Sequence, residues 1–139
     1  MERSLVLIKP DAMQRGLAGI IVSRLEKLGL KLVAIKMLHP DKALAQRHYA
    51  VHKGKPFYDS LVNYISSAPI IACVFEGKQA VEVIRKAMGA TDPAKAEAGT
   101  IRGDFGLDIE RNTIHGSDSV ATAEEEIRLF FTEDEILSY

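Results

Sequence analysis

Leu5-Val6-Leu7-Ile8 is an unbroken apolar run too short for a helix, and Lys9-Pro10 ends it; it predicts a buried strand. Leu17, Ile20, Ile21, Leu25 and Leu28 then recur at helical spacing, with Gly29 as a stop signal. From Leu30 to Leu38 apolar and polar positions roughly alternate, which predicts a second strand. Pro40-Asp41 breaks the chain before a short helix through Leu44 and Tyr49, and Pro56 opens another over Phe57 to Ile65. Pro69 leads into Ile70 to Phe75, a third strand apolar on both faces. Ala80, Ile84, Ala87 and Met88 mark a helix closed by Gly89. Periodicity then lapses from Gly89 to Asn112, a length that in compact domains usually carries function or is disordered. A short fourth strand is expected near Ile114, and a last helix over Ala123 to Phe131, with Thr122 and Glu125 as its capping box.

The order is therefore β-α-β-α-β-α-β-α with extra short helices in the middle. Helices in the connections between strands 1–2 and 3–4 suit a split βαβ arrangement, with a mixed or antiparallel sheet and helices on one face. A length of 139 residues predicts one domain, 1–139, and 47% apolar content is ordinary for a globular core. A net charge of −1 removes bulk electrostatics as a reason to bind nucleic acid or a membrane surface. The single cysteine, Cys73, lies inside the third apolar run, so a buried thiol in a reducing compartment is expected. The opening Met-Glu-Arg-Ser runs into an apolar stretch too short for a signal peptide, and nothing approaches a membrane span, so the expected location is cytoplasmic.

Three pattern matches carry no weight. Asp104-Phe105-Gly106 spells the magnesium-binding triplet of protein kinases, but no His-Arg-Asp loop precedes it. Gly54-Lys55 and Gly77-Lys78 lack the upstream glycine and following hydroxyl of a phosphate loop. His48 and His52 stand four apart as zinc ligands do, but no general-base glutamate follows His48 and no cysteine pair is present, so no protein-bound metal is expected.

The chemistry concentrates in Asn112-Thr113-Ile114-His115-Gly116-Ser117-Asp118. Gly116, lacking a Cβ, permits a sharp turn or a close approach beside His115, and an amide, a hydroxyl and a carboxylate surround the ring. Lys9, His52, Arg85, Thr91, Arg102 and Asn112 are anion-binding types, most of them at element ends or in the long loop, where substrate sites concentrate. Arginine meets phosphate oxygens in a two-pronged geometry and threonine adds a hydroxyl. A cationic pocket beside a histidine points to phosphoryl transfer. An ordinary imidazole, with a pKa near 6.5, is roughly three-quarters neutral at pH 7 and so keeps a free lone pair. A carboxylate on its other nitrogen would fix the tautomer and steady the phosphorylated form. Glu126 suits that role, because it falls at the edge of the Ala123, Ile127, Phe130 and Phe131 stripe while Glu124 and Glu125 project away; the alternative is a rim carboxylate paired to a lysine.

The His115 segment resembles the signature of nucleoside diphosphate kinases, and the likeness extends along the chain. It takes in Lys9-Pro10-Asp11 with Gln14-Arg15-Gly16, His48-Tyr49 with Lys53 and Pro56-Phe57, Gly89 to Pro93, and Gly99 to Phe105. The resemblance implies a ferredoxin-like α/β sandwich, with a four-stranded antiparallel sheet and a long loop between the third helix and the fourth strand. It implies that His115 carries phosphate between nucleoside triphosphates and diphosphates in a ping-pong exchange with broad base specificity. Lys9, Tyr49, His52, Arg85, Thr91 and Arg102 would surround the phosphates, with Lys9 and Asn112 also at the sugar. Phe57 and Ile109 would flank the base, and Ser117 and Glu126 would hold the histidine. Magnesium would arrive on the nucleotide, Asp118 at most touching it through water. The family's oligomers imply a homo-tetramer or homo-hexamer built from a common dimer. Ala12, Lys55 and Tyr58 depart from the family's usual residues beside the site. Two rival readings remain: a non-catalytic nucleotide-binding relative and a small-molecule-sensing regulatory domain.

Overall fold

The computed structural model describes all residues from Met1 to Tyr139. Four strands, β1 (Glu2–Ile8), β2 (Lys31–Leu38), β3 (Ile70–Gly77) and β4 (Ile114–Gly116), form one sheet in the order β2-β3-β1-β4. Each neighbouring pair is antiparallel. The helices are α1 (Pro10–Gln14), α2 (Ala18–Glu26), α3 (Lys42–His48), α4 (Tyr58–Ile65), α5 (Ala80–Met88), α6 (Ile101–Phe105) and α7 (Val120–Phe130).

The two central strands, β1 and β3, are the two that read as unbroken apolar runs, because both their faces are covered. On one face Leu5, Leu7, Ala72 and Val74 pack with Ala45, Val62, Ile65, Ile127 and Phe130 from α3, α4 and α7. On the other Val6, Ile8, Cys73 and Phe75 pack with Ala12, Ile21, Leu25, Ile84, Met88 and Ile101 from α1, α2, α5 and α6. Helices therefore cover both faces rather than the single face expected from connection order. Cys73 is fully buried, and burial pushes its thiol up to about 12, which leaves it inert.

The rough alternation of β2 has a definite cause. Leu32 pairs with Phe75 and Ala34 with Val74, so Val33 is an extra, bulged residue. The bulge lets Val33 and Ala34 both join the first core cluster while Leu32 packs on the second.

Three local expectations change. Lys9-Pro10 ends β1, but Pro10 also opens α1, where its missing N–H costs nothing at the first helical position. The stretch from Gly89 to Asn112 holds a 3₁₀ turn at Pro93–Lys95 and helix α6, whose cap Thr100 accepts the Gly103 N–H at 3.0 Å. Helix α7 starts earlier than its apolar stripe: Ser119, not Thr122, is the cap, its hydroxyl accepting the Thr122 N–H at 3.1 Å.

Candidate active site

His115 lies in β4 opposite Leu7 of β1, so its ring shares the face covered by α3 and α7. Gly116, one residue on, faces α5. A Cβ there would stand 2.5 Å from Met88 Sδ and 3.2 Å from Ile84 Cγ2. Close approach, not a turn, is what requires glycine at this position, since Gly116 is an ordinary strand residue.

A chain of hydrogen bonds fixes the imidazole. The Leu5 N–H donates to Ser117 Oγ at 3.2 Å, and the Ser117 hydroxyl donates to Glu126 Oε1 at 2.7 Å. The second oxygen, Oε2, accepts from His115 Nε2 at 3.0 Å. Glu126 is buried, at 7% exposure, on the inward edge of α7. Burial alone would push its carboxyl up. The hydrogen bond and charge of His115, the charge of His48 and the Ser117 hydroxyl outweigh it, and the net shift is downward. An ionised Glu126 holds the proton on Nε2, so Nδ1 keeps its lone pair. The His115 side chain is 20% exposed, so part of the ring is open to the surface.

His48 stacks edge-on against His115, centroids 4.7 Å apart and planes at 81°. Its Nδ1 stands 3.5 Å from Glu126 Oε2, and neither of its ring nitrogens has a hydrogen-bond partner. Burial, then the charge of His115, lowers its pKa to about 3, so it is a neutral wall of the site at physiological pH. His48, His115 and Glu126 bring donor atoms within 4.8 Å of one another. Both Glu126 oxygens are already engaged by Ser117 and His115, and His52 is not part of this group.

A second arm gathers cations. Lys9, at the β1–α1 junction, is buried and donates to Asn112 Oδ1 at 2.7 Å; Asn112 Nδ2 donates to the Thr91 carbonyl at 2.9 Å. Burial, then the charge of Arg102, lowers Lys9 to about 8. Arg102 on α6 is buried too, and donates to the carbonyls of Gly89 at 3.1 Å and Ile114 at 2.9 Å. Burial, then the charge of Arg85, lowers it to about 10. Its Nε is buried without a partner. Arg85 on α5 is exposed and pairs with Asp118 at 2.7 Å. Two buried cations of depressed basicity, one with a guanidinium nitrogen still unpartnered, are chemically suited to an anion.

Phe57 caps the start of α4 and is 46% exposed, its ring 5.2 Å from that of His52. Ile109, 61% exposed, lies on the segment before Asn112. Ser60 of α4 donates to Glu110 Oε2 at 2.6 Å and ties these two segments together. Lys9, Asn112 and Thr91 thus form one hydrogen-bonded network, to which Arg102 is coupled by charge, and Ser117, Glu126 and His115 form another. Arg85 stands at the margin through Asp118, and Phe57 and Ile109 sit on outer segments. In the sequence His48 stands out only as half of a possible zinc pair and within the His48-Tyr49 block of the resemblance, and nothing there marks Ser60 or Glu110. The signal for His48 is its place at the end of an amphipathic helix, which is weak without the fold.

An antiparallel α/β sandwich with a carboxylate-oriented histidine beside buried cations defines a protein built to handle phosphate groups at an imidazole. The family model described as "Nucleoside diphosphate kinase" matches residues 2–136. A nucleoside diphosphate kinase of Dehalococcoides mccartyi is 60% identical over 139 residues, covering 100% of this chain and 98% of the relative. A halophilic nucleoside diphosphate kinase of Halobacterium salinarum, solved in complex with CDP, superposes with a TM-score of 0.97 at 50% identity; the match covers 99% of this chain and 92% of that one. A nucleoside diphosphate kinase family protein of Babesia bovis gives 0.97 at 42% identity, over 100% and 94% of the two chains. The chain belongs to the nucleoside diphosphate kinase family.

Proposed function

We infer that this chain moves the terminal phosphate of a nucleoside triphosphate to a nucleoside diphosphate through a phosphorylated His115, in a ping-pong cycle. The observation that carries the reading is the 3.0 Å bond between Nε2 and Glu126, which leaves Nδ1 as the nucleophile. The Nδ1 lone pair forms a bond to the terminal phosphorus, and the bond from that phosphorus to the bridging oxygen breaks. The nucleoside diphosphate leaves with the electron pair. Positive charge that develops on the ring is balanced by the Glu126 carboxylate, which Ser117 holds in place. A second diphosphate then attacks the phosphohistidine, and the steps run in reverse. Lys9, Thr91, Arg102 and Arg85 hold the phosphates, Asn112 with Lys9 meets the sugar, and Phe57 and Ile109 flank the base. Stacking between an aromatic face and an aliphatic wall reads no base edge, which supports broad base use.

Apart from Glu126, whose oxygens are taken by His115 and Ser117, the site's charged groups are cationic, with one largely exposed carboxylate, Asp118, at the margin. That donor set fits magnesium carried on the nucleotide phosphates, with Asp118 outside its first shell, rather than a resident ion in a protein cage. Magnesium there would neutralise phosphate charge. The outer edge of β2 pairs with no other strand, only its Val33 and Leu32 carbonyls being met by the Leu137 N–H and the Tyr139 hydroxyl, and β2 exposes Ile35 and Met37, at 50% and 65%. It supports assembly as a homo-oligomer, a tetramer or hexamer of dimers. No helix is long and apolar enough to cross a membrane, and a cytoplasmic location is proposed with the activity.

Mixing the protein with magnesium and a nucleoside triphosphate labelled at its terminal phosphate should give an acid-labile labelled protein. Adding unlabelled diphosphate should discharge it. His115→Ala should abolish labelling while leaving the far-ultraviolet circular dichroism unchanged. Label retained on His115→Ala would overturn the assignment of the nucleophile. A wild-type protein that takes no label would overturn the activity.

A further inference from the structure

Thr113, between Asn112 and β4, has a φ of +73° and is fully buried. The Ile114 N–H donates to the Asn112 carbonyl at 2.9 Å, which closes a three-residue γ-turn around it. The positive-φ form of this turn is rare and strained, and for a β-branched residue such a φ is an outlier. Strained backbone of this kind persists only where its surroundings over-determine it.

The surroundings here are a short segment of the chain's first helix. The Lys9 N–H donates to the Thr113 carbonyl at 2.9 Å, and Asp11 Oδ2 accepts the Thr113 N–H at 3.1 Å. Asp11 is itself locked. Its Oδ1 accepts the Tyr64 hydroxyl at 2.6 Å, and its own N–H donates back to that hydroxyl oxygen at 2.9 Å. Burial, then the bond to Asp11, raises the Tyr64 pKa, so its proton stays in place to be donated. Asp11 is 5% exposed; its carboxylate makes no hydrogen bond to His115 or to the cation network, and it acts on Lys9 only through its charge.

The turn matters because of strand geometry. In an unbroken strand, residues 112 and 115 project to opposite faces. The turn at Thr113 swings the Asn112 amide round to Lys9, whose charge is felt at His48 beside His115. We propose that Asp11, held by Tyr64, is a positioning residue that clamps the Thr113 γ-turn and so sets Asn112 and His115 on one side of the site at a fixed offset. The proposal rests on the reading of His115 as phosphate carrier and Asn112 as nucleotide ligand.

The test is single-turnover phosphorylation by labelled nucleoside triphosphate and magnesium, with the folded fraction measured alongside. Asp11→Asn keeps the side-chain shape but exchanges an acceptor oxygen for a donor. It should slow phosphorylation of the folded protein at saturating nucleotide by about tenfold, because small misplacements of reacting groups are costly in rate. Tyr64→Phe, which leaves Asp11 in place but loose, should slow it about threefold. Thr113→Gly supplies the decisive background, because glycine takes a positive φ without a clamp. There, Asp11→Asn should cost less than about threefold. Rates for both Asp11→Asn and Tyr64→Phe within about twofold of wild type would overturn the proposal. So would an undiminished loss in the Thr113→Gly background, since a purely structural Asp11 would be indifferent to the turn. If Asp11→Asn does not fold, the same comparison is made with Tyr64→Phe in both backgrounds, and equal losses overturn it. His115→Ala in the same assay keeps the two readings apart: persisting label would sink the phosphate-carrier reading, whatever Asp11→Asn does.

Discussion

A phosphate-carrying histidine needs one nitrogen held and the other free, and here a buried carboxylate does the holding. Glu126→Gln keeps the shape but removes the charge that, in the proposed cycle, balances the phosphorylated ring. Losses of groups that orient a metal-bound histidine from behind typically cost about 10–100-fold, and by analogy a fall of similar size is expected in the single-turnover rate. A wild-type rate would reduce Glu126 to a bystander. Lys9 makes a second residue-scale prediction. In the free protein its pKa is lowered to about 8, by burial first and Arg102 second. A bound phosphate favours the charged form, so the pKa rises on binding. Above about pH 8, nucleotide binding should take up a fraction of a proton, and affinity should weaken as pH rises. Calorimetry at about pH 8.5 in two buffers of different ionisation heat reads this directly. Binding heats independent of buffer would mean that Lys9 does not meet the phosphates.

Element geometry decides how these residues meet. β4 is only three residues long, yet it is pinned between β1 and α5, and the pinning passes through Gly116. Gly116→Ala would drive a Cβ into Met88 Sδ, the flexible part of a side chain that can yield only within a filled core. A loss of about 1–3 kcal/mol in urea unfolding is expected. In a Met88→Ala background the same substitution should cost under about 1 kcal/mol, because the colliding atom is gone. Equal costs in the two backgrounds would place the strain elsewhere. The longer elements were legible because each carries its own period: α5 and α7 as apolar stripes, β1 and β3 as continuous runs. What escaped has no periodicity to read. α1 and α6 are five residues each, and the β2 bulge is visible only against its partner strand. The site divides the same way. Glu126 was readable from its place on the α7 stripe, whereas Asp11, His48 and the Ser60–Glu110 tie owe their roles to contacts between segments far apart in sequence.

Across the whole molecule, charge is nearly balanced, at −1, while one region buries Lys9 and Arg102 together against their electrostatic preference. Attraction for nucleotides is therefore local rather than a property of the overall field, and folding bears its cost. His48 shows that cost most simply. It is packed neutral against His115, Tyr49 and Phe130 with no hydrogen-bond partner. Its folded pKa is lowered to about 3, against roughly 6.5 in the unfolded chain. Between those values the unfolded state binds more protons, so stability falls as pH drops below about 6.5 and continues to fall towards 3. One group with this shift costs about 2 kcal/mol between pH 7 and pH 5. That window stays above the carboxylate range, where Glu126, also depressed, would add its own loss as pH falls further. Urea unfolding at pH 7, 6 and 5 should therefore show wild type losing about 2 kcal/mol more than His48→Phe, which keeps the edge-on packing without a titrating nitrogen. Parallel losses in the two proteins would mean that another group carries the acid sensitivity and that His48 is not buried in its neutral form.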